Sequence, residues 1–293
     1  MPTYDRVVLV YNPESSGDGA ERAEGARAAL AEACPQLAVA AVPTEYAGHA
    51  QVIAEQEARA GRVLVVSVSG DGGYHEVVQG VMAAGDGGVS GAVAAVLPAG
   101  NANDHRRATR EGPLVDAIAA ARCSHLDLLR IDVAGEDRPR WAHSYLGLGI
   151  TPTVALELER GGKGSVREIW TTLRSFSRFR PFAIDVEGEG PRRFDSLILA
   201  NTTEMAKYVT LSDGDPADGQ FEVITVSHRS KLRLLAYAVR AAVRGLGPQP
   251  RTDRFAFTTL SPMPVQLDGE VLDLPTDRVV TVTIAPGALA TVV

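Results

Sequence analysis

The chain is poor in cysteine, lysine and aromatic residues, and each shortage removes a class of explanation. Two cysteines in 293 residues, Cys34 and Cys123, are too few for a disulfide framework and stand in no metal-ligand spacing. Both are expected as small apolar residues inside the fold. The three lysines are Lys163, Lys207 and Lys231. Any grip on phosphate in the first half must therefore use backbone amides, a metal or arginine. No apolar run approaches the ~18 residues of a membrane span, and Met1-Pro2-Thr3-Tyr4-Asp5 does not open a signal peptide. The loop G-x-x-x-x-G-K-[ST] is absent, and G-x-G-x-x-G fails because His75 stands where its last glycine belongs.

Composition supplies the bounds. With 45% apolar and 22% charged residues, the chain reads as soluble and long enough for two domains. Cytoplasm is the expected location. The net charge of −7 is uneven: residues 1–129 carry −7, residues 130–260 carry +3 and residues 261–293 carry −3. Nucleic-acid binding needs a dense basic face, which this distribution excludes. The positive middle segment suits transient contact with an anionic membrane surface.

Up to about residue 125 strand-like and helix-like segments alternate. Strands are expected at 7–11, 39–42, 63–68 and 93–97, and helices at 18–33, 48–60, 74–84 and 102–122. That alternation predicts an α/β domain over 1–125 with a mostly parallel sheet. Ligands of such sheets sit at the carboxyl ends of the strands; Asn12, Thr44, Asp71 and Gly100 all fall just past those ends. From about Leu126 short strands take over, at 126–133, 141–147, 181–187, 194–201, 221–226, 254–259 and 279–284, punctuated at Arg192, Asp213 to Asp215 and Pro262 to Pro264. Residues 126–293 are expected as an antiparallel β-sandwich with helical interruptions near 163–178 and 228–245.

The most informative run is Ser69-Gly70-Asp71-Gly72-Gly73-Tyr74-His75-Glu76, between a buried-strand pattern and a helical one. Glycines 70, 72 and 73 permit a tight turn and leave room for a ligand against the main chain. Such a turn aims several N–H groups at one spot, which suits phosphate. Asp71 would repel a bare phosphate but suits Mg²⁺ bridging phosphates. An ordinary surface turn with a solvated Asp is the bland alternative. A second run, Pro98-Ala99-Gly100-Asn101-Ala102-Asn103-Asp104, follows the strand Val93 to Leu97.

Together the two runs resemble the signature loops of the diacylglycerol kinase catalytic-domain superfamily, which includes bacterial lipid kinases, sphingosine and ceramide kinases and, more distantly, NAD kinases. The family's usual first loop is Gly-Gly-Asp-Gly-Thr, then a hydrophobic pair and Asn-Glu. Here Ser69 replaces the first Gly, Gly73 replaces Thr and His75 replaces Asn, a version nearer the sphingosine kinases. In the second loop Asn101 stands where Thr is usual; its amide can still donate. Val7 to Pro13 with Ser16-Gly17 looks like the opening strand and Asn-Pro-x-Ser-Gly loop, and Thr44 sits where the family contacts nucleotide. Asp215 to Val223 resembles the structural metal loop of the second domain, and Leu267-Asp268-Gly269-Glu270 the late Asp-Gly-Glu. The resemblance covers nearly the whole chain and implies a NAD kinase/diacylglycerol kinase-like fold.

What it implies chemically is an ATP-dependent lipid kinase using Mg²⁺. Asn12, Thr44, Ser69, Gly70, Gly72, Gly73, Glu76, Gly100, Asn101 and Asn103 would bind nucleotide. Asp71 and Asp104 would hold the catalytic Mg²⁺, although Asp104 also suits a helix N-cap. Asp215, Asp218 and Gln220 would hold a structural metal, the bland alternative being a solvated acidic hairpin. The C-terminal segment would pack back on the first domain and bring Asp268 and Glu270 to the active site, where a carboxylate takes the proton of the acceptor hydroxyl. Glu270 is preferred over Asp268, while Asp268-Gly269 could be only a hairpin turn. The acceptor would be a diacylglycerol-like or sphingoid-like lipid alcohol, and homodimerisation is left open. A NAD kinase, and a nucleotide-binding regulator without turnover, are the other readings of these motifs. In the 228–245 segment, Arg229, Arg233, Arg240 and Arg244 form a stripe beside Leu232, Leu235, Val239 and Val243. That is a solvated helix face or a membrane-docking one, peripheral to the inner face of the membrane.

Overall fold

The computed structural model describes residues 4–14, 18–85, 91–99, 112–149, 181–202, 217–227 and 247–293, with two short backbone strands between 204 and 210. It divides into two compact units. One comprises Met1–Leu128 with Ala285–Val293, the other Leu129–Ile284.

In the first unit the described elements run β1 (Arg6–Tyr11), α1 (Gly19–Ala33), β2 (Ala38–Pro43), α2 (His49–Arg59), β3 (Val63–Ser69), α3 (Asp71–Ala84), β4 (Val93–Pro98) and α4 (Leu114–Ala119). The strands are parallel in the order β2-β1-β3-β4. Val63 to Val68 is buried residue after residue because both faces of the sheet are covered. Alternation divides the strands between two layers. Val7, Leu9, Leu64 and Val66 join Leu30 of α1 and Ile118 of α4 in one core. Val8, Val10 and Val65 are buried as well, on the side where α2 and α3 contact β1 and β3. Cys34 is buried in the first of these layers and Cys123 partly so, and neither forms a disulfide.

Helix α3 begins at Asp71, three residues before the expected start at 74. Gly70 is its extended N-cap, and Gly72 and Gly73 lie inside the helix. Each helical glycine costs roughly 1 kcal/mol relative to Ala. Burial of Tyr74, Val77, Val78 and Val81 contributes about 1.5–3 kcal/mol per large side chain, so packing wins over propensity.

The second unit is antiparallel. Its strands are β5 (Cys123–Val133), β6 (Arg140–Ala142), β7 (Tyr145–Gly149), β8 (Phe182–Val186), β9 (Gly190–Ala200), β10 (Glu204–Met205), β11 (Val209–Thr210), β12 (Phe221–Ser227), β13 (Arg251–Thr252), β14 (Arg254–Thr259), β15 (Met263–Leu267), β16 (Glu270–Leu274) and β17 (Val279–Val292). The first residues of β5 and the last of β17 belong to the other unit. Residues 196–200 of β9 lie between β7 and β12, and residues 190–194 pair with β8. Leu146, Leu197, Leu199, Phe221 and Phe257 centre the core.

Three expectations need correcting here. The strand at 141–147 is broken at His143-Ser144 into β6 and β7. Pro262 to Pro264 does not only punctuate, because β15 starts at Met263 and buries Val265 and Leu267. β17 continues past 284 to Val292, burying Leu289 and Val292 in the first unit. The segments 163–178 and 228–245, and residues 102–111 of the helix expected at 102–122, lie outside the described residues, and the described part of that helix ends at Ala119. The fold class is the expected one: an α/β unit with a parallel sheet, and an antiparallel β unit.

Candidate functional site

The described candidate residues of the first unit gather at the carboxyl ends of its parallel strands. The Thr44 N–H donates to the Tyr11 carbonyl at 2.8 Å, which carries the β1–β2 pairing one step beyond Pro43. The Ala99 N–H donates to the Ser69 carbonyl at 3.0 Å and ties the ends of β3 and β4. Asn12 is exposed, and its Oδ1 accepts the Glu14 N–H at 2.8 Å, bending the chain away from β1.

At the head of α3 no side chain caps the helix from Gly70. First-turn amides and the helix dipole therefore favour negative charge there. Asp71 sits in that turn, partly buried. Ser69 Oγ donates to the Gly70 carbonyl at 2.8 Å and lies 2.6 Å from Ser67 Oγ. A Cβ at Gly73 would come within 2.5 Å of Ser69 Oγ and 2.7 Å of Ser69 Cβ. Side chains at 69 and 73 thus compete for one space. The two departures from Gly-Gly-Asp-Gly-Thr amount to one change, in which a hydroxyl at the first position displaces one at the last. Three residues after Gly73, Glu76 Oε1 accepts the Gly48 N–H at 3.2 Å, so Glu76 holds the loop that carries Thr44. His75 is a buried helix-face residue beside Gln79.

One carboxylate beside uncapped helix amides fits a magnesium–phosphate group, since that ion takes few protein carboxylates and keeps several waters. Gly100, Asn101, Asn103 and Asp104 lie outside the described residues, as does Asp215. Two features escaped the sequence. Arg22 of α1 donates to the Pro98 carbonyl at 3.0 Å, at the end of β4. The ring of Tyr46 stacks on that of His49, with centroids 4.5 Å apart and 11° between planes. The lysine-free first half hinted at an arginine without saying which; for Tyr46 there was no signal.

The remaining candidates lie in the second unit. Asp268-Gly269 links β15 to β16 with φ of 50° and 104°, both positive as a two-residue hairpin prefers. The Asp268 carboxylate is turned inward and 2% exposed. Its Oδ2 accepts the His143 N–H at 2.8 Å, and its Oδ1 accepts the N–H groups of Ser144 at 2.8 Å and Tyr145 at 3.0 Å. Charge-assisted bonds of this kind are the strong ones, and here they hold the break between β6 and β7. His143 Nε2 lies 3.5 Å from Oδ2, and Ser144 Oγ lies 2.8 Å from His143 Nδ1. Glu270, in contrast, is exposed at the start of β16. At the other acidic loop, Asp218 accepts the Gln220 N–H at 3.0 Å and pairs with Arg251, which also reaches Glu222 at 3.3 Å. A cation there would have to displace Arg251, so the described part of this loop does not fit a bound metal. Among the described residues no group of three His, Cys, Asp or Glu could hold a metal ion.

Fold and loop define an α/β protein that presents a glycine-containing helix N-terminus at the carboxyl edge of a parallel sheet. Over residues 6–134 the chain matches the model of the diacylglycerol kinase catalytic domain. Two solved structures from Bacillus anthracis str. Sterne share the fold. One is described as a diacylglycerol kinase, with a TM-score of 0.72, and the other provisionally so, with a TM-score of 0.74. Each is 17% identical, and the match covers 99% of this chain and 97% of that one. No curated protein matches. Among the described residues no helix is long and apolar enough to cross a membrane.

Proposed function

We propose that the protein transfers the γ-phosphate of Mg-ATP to the hydroxyl of a lipid, diacylglycerol-like or sphingoid-like. The observation that carries this is the Gly-Asp-Gly-Gly helix N-terminus of α3, at the carboxyl ends of the strands, inside the stretch that matches the kinase family. Phosphoryl transfer asks the protein mainly for positioning and neutralisation of charge. The amides of Gly70, Gly72 and Gly73 would receive phosphate oxygens, and the bond from Ser69 Oγ to the Gly70 carbonyl supports the turn beneath them. Asp71 would hold Mg²⁺, which when bound supplies positive charge between phosphate groups.

An alcohol is too weak an acid to ionise at neutral pH, so a carboxylate must take its proton as the new bond forms. Glu270 suits that task because its carboxylate is exposed. Asp268, occupied by three backbone N–H groups, suits a positioning role that fixes the hairpin on which Glu270 stands. The test is transfer of label from γ-labelled ATP to a panel of diacylglycerol, sphingosine, polyprenol and NAD. Label in a phosphorylated lipid is the expected result. Label in NADP alone would replace the lipid kinase with a NAD kinase. Nucleotide binding without transfer to any acceptor would leave a regulator.

A further inference from the structure

The loop between β2 and α2 holds the one aromatic side chain among the exposed large hydrophobic residues described. Tyr46 is 58% exposed, whereas Tyr4, Tyr74, Phe221 and Phe257 are essentially buried. It is exposed but not loose. One face of its ring is covered by the near-parallel ring of His49. His49 is fixed in turn, because its Nδ1 accepts the Glu45 N–H at 3.0 Å. The loop is anchored on both sides of the ring, at Thr44 to the Tyr11 carbonyl and at Gly48 to Glu76 of α3. A flat ring with one face backed and the other open is a stacking surface. Held this way, it loses little conformational freedom when something stacks on it.

Its position says what would stack there. Tyr46 follows the carboxyl end of β2, two strands along the sheet from β3 and the phosphate-suited turn. Two interstrand spacings amount to about 10 Å, within reach of a nucleoside triphosphate whose phosphates sit at Gly70 to Gly73. We propose that the open face of Tyr46 stacks on the base of the bound nucleotide. This rests on reading the site as nucleotide-binding and adds a base-binding residue to it. Stacking is tolerant of base identity, because every base has a π face. Tyr46 accordingly contributes affinity and direction to the nucleotide, with base toward β2 and phosphates toward β3.

Calorimetric titration of the full chain with Mg²⁺ and three probes, ATP, adenosine and inorganic tripolyphosphate, tests this. Tyr46→Ala should weaken ATP and adenosine roughly tenfold or more, as truncation of a base-stacking aromatic does, and leave tripolyphosphate unchanged. Tyr46→Phe, which keeps the ring, should bind all three like the parent. Unchanged ATP affinity in Tyr46→Ala would overturn the proposal. Equal losses for ATP and tripolyphosphate would also overturn it, since the ring would then be supporting the loop. Loss of binding to phosphatidylglycerol vesicles with ATP unaffected would assign Tyr46 to a lipid surface instead. A parent protein that binds none of the three probes would refute the nucleotide site itself, and that result is distinct from all the others.

Discussion

Where Ser69 and Gly73 compete for one space, the outcome of substitution can be argued from distances. Gly73→Thr places a Cβ 2.5 Å from Ser69 Oγ, which forces the turn or the helix start to move. Overpacking of this kind costs about 1–3 kcal/mol. The variant should melt lower and lose most activity, and adding Ser69→Gly should restore both. Failure of the double variant to recover would show that the two positions are independent. Asp71→Asn removes the charge proposed to hold Mg²⁺ from a partly buried first turn, with about 0.3–1 kcal/mol of helix-dipole stabilisation. It should unfold close to the parent yet turn over at under a tenth of its rate. The two late carboxylates should separate cleanly. Glu270→Gln should lower kcat ~10²–10⁴-fold with little change in stability. Asp268→Asn should lower the melting temperature, since the charge behind three buried hydrogen bonds is worth about 2–3 kcal/mol. If kcat falls only in the stable Asp268→Asn protein, the base is Asp268.

The packing of α2 on α3 decides whether the loop at Thr44 and the turn at Asp71 stay in register. Gly80 is a point of close approach. A Cβ there would lie 2.2 Å from the Gln51 carbonyl oxygen, 2.7 Å from Ala54 Cβ and 2.9 Å from the Glu55 nitrogen. Helix propensity alone would make Gly80→Ala stabilising by about 1 kcal/mol. The opposing atoms are mostly backbone and cannot turn aside, so the overpacking cost of about 1–3 kcal/mol should win. Thermal unfolding should therefore show a lower midpoint for Gly80→Ala. A higher midpoint would mean that the helices separate without cost. Where α2 does shift, the Glu76 to Gly48 bond is the first contact expected to break.

For the molecule as a whole, the proposed lipid kinase activity would require meeting a substrate held in a bilayer, and charge would govern that encounter. At −7 net, the protein is repelled by an anionic surface unless a basic face is turned toward it. The richest such stripe in the sequence is Arg229, Arg233, Arg240 and Arg244, outside the described residues. Each basic residue contributes on the order of 1 kcal/mol near an anionic membrane. Charge reversal at Arg240 and Arg244 should cut activity on lipid in anionic vesicles and spare a short-chain soluble analogue. High salt should act like the mutation, because screening sets in over ~8 Å. Equal losses on both substrates would assign the stripe to the fold.

The parallel sheet was legible in the residues alone, because continuous apolar runs such as Val63 to Val68 are satisfied by cover on both faces. The run Ser69 to Glu76 could be singled out as a candidate site in the same way, because the signal lies in residue type and local order. The late Asp-Gly pair was legible as a hairpin for the same local reason. Other features needed the folded chain. Local pattern placed the glycines of α3 in a turn, and only the burial of Tyr74, Val77 and Val78 drew them into the helix. The Asp268 carboxylate could have faced solvent or core. It faces His143, Ser144 and Tyr145, more than 120 residues earlier in the chain. The competition between Ser69 and Gly73, the approach at Gly80 and the stacked ring of Tyr46 are likewise matters of distance between side chains. Periodicity records which face of an element is apolar. Which atoms meet across that face is decided when the chain closes on itself, and only the tertiary structure holds that.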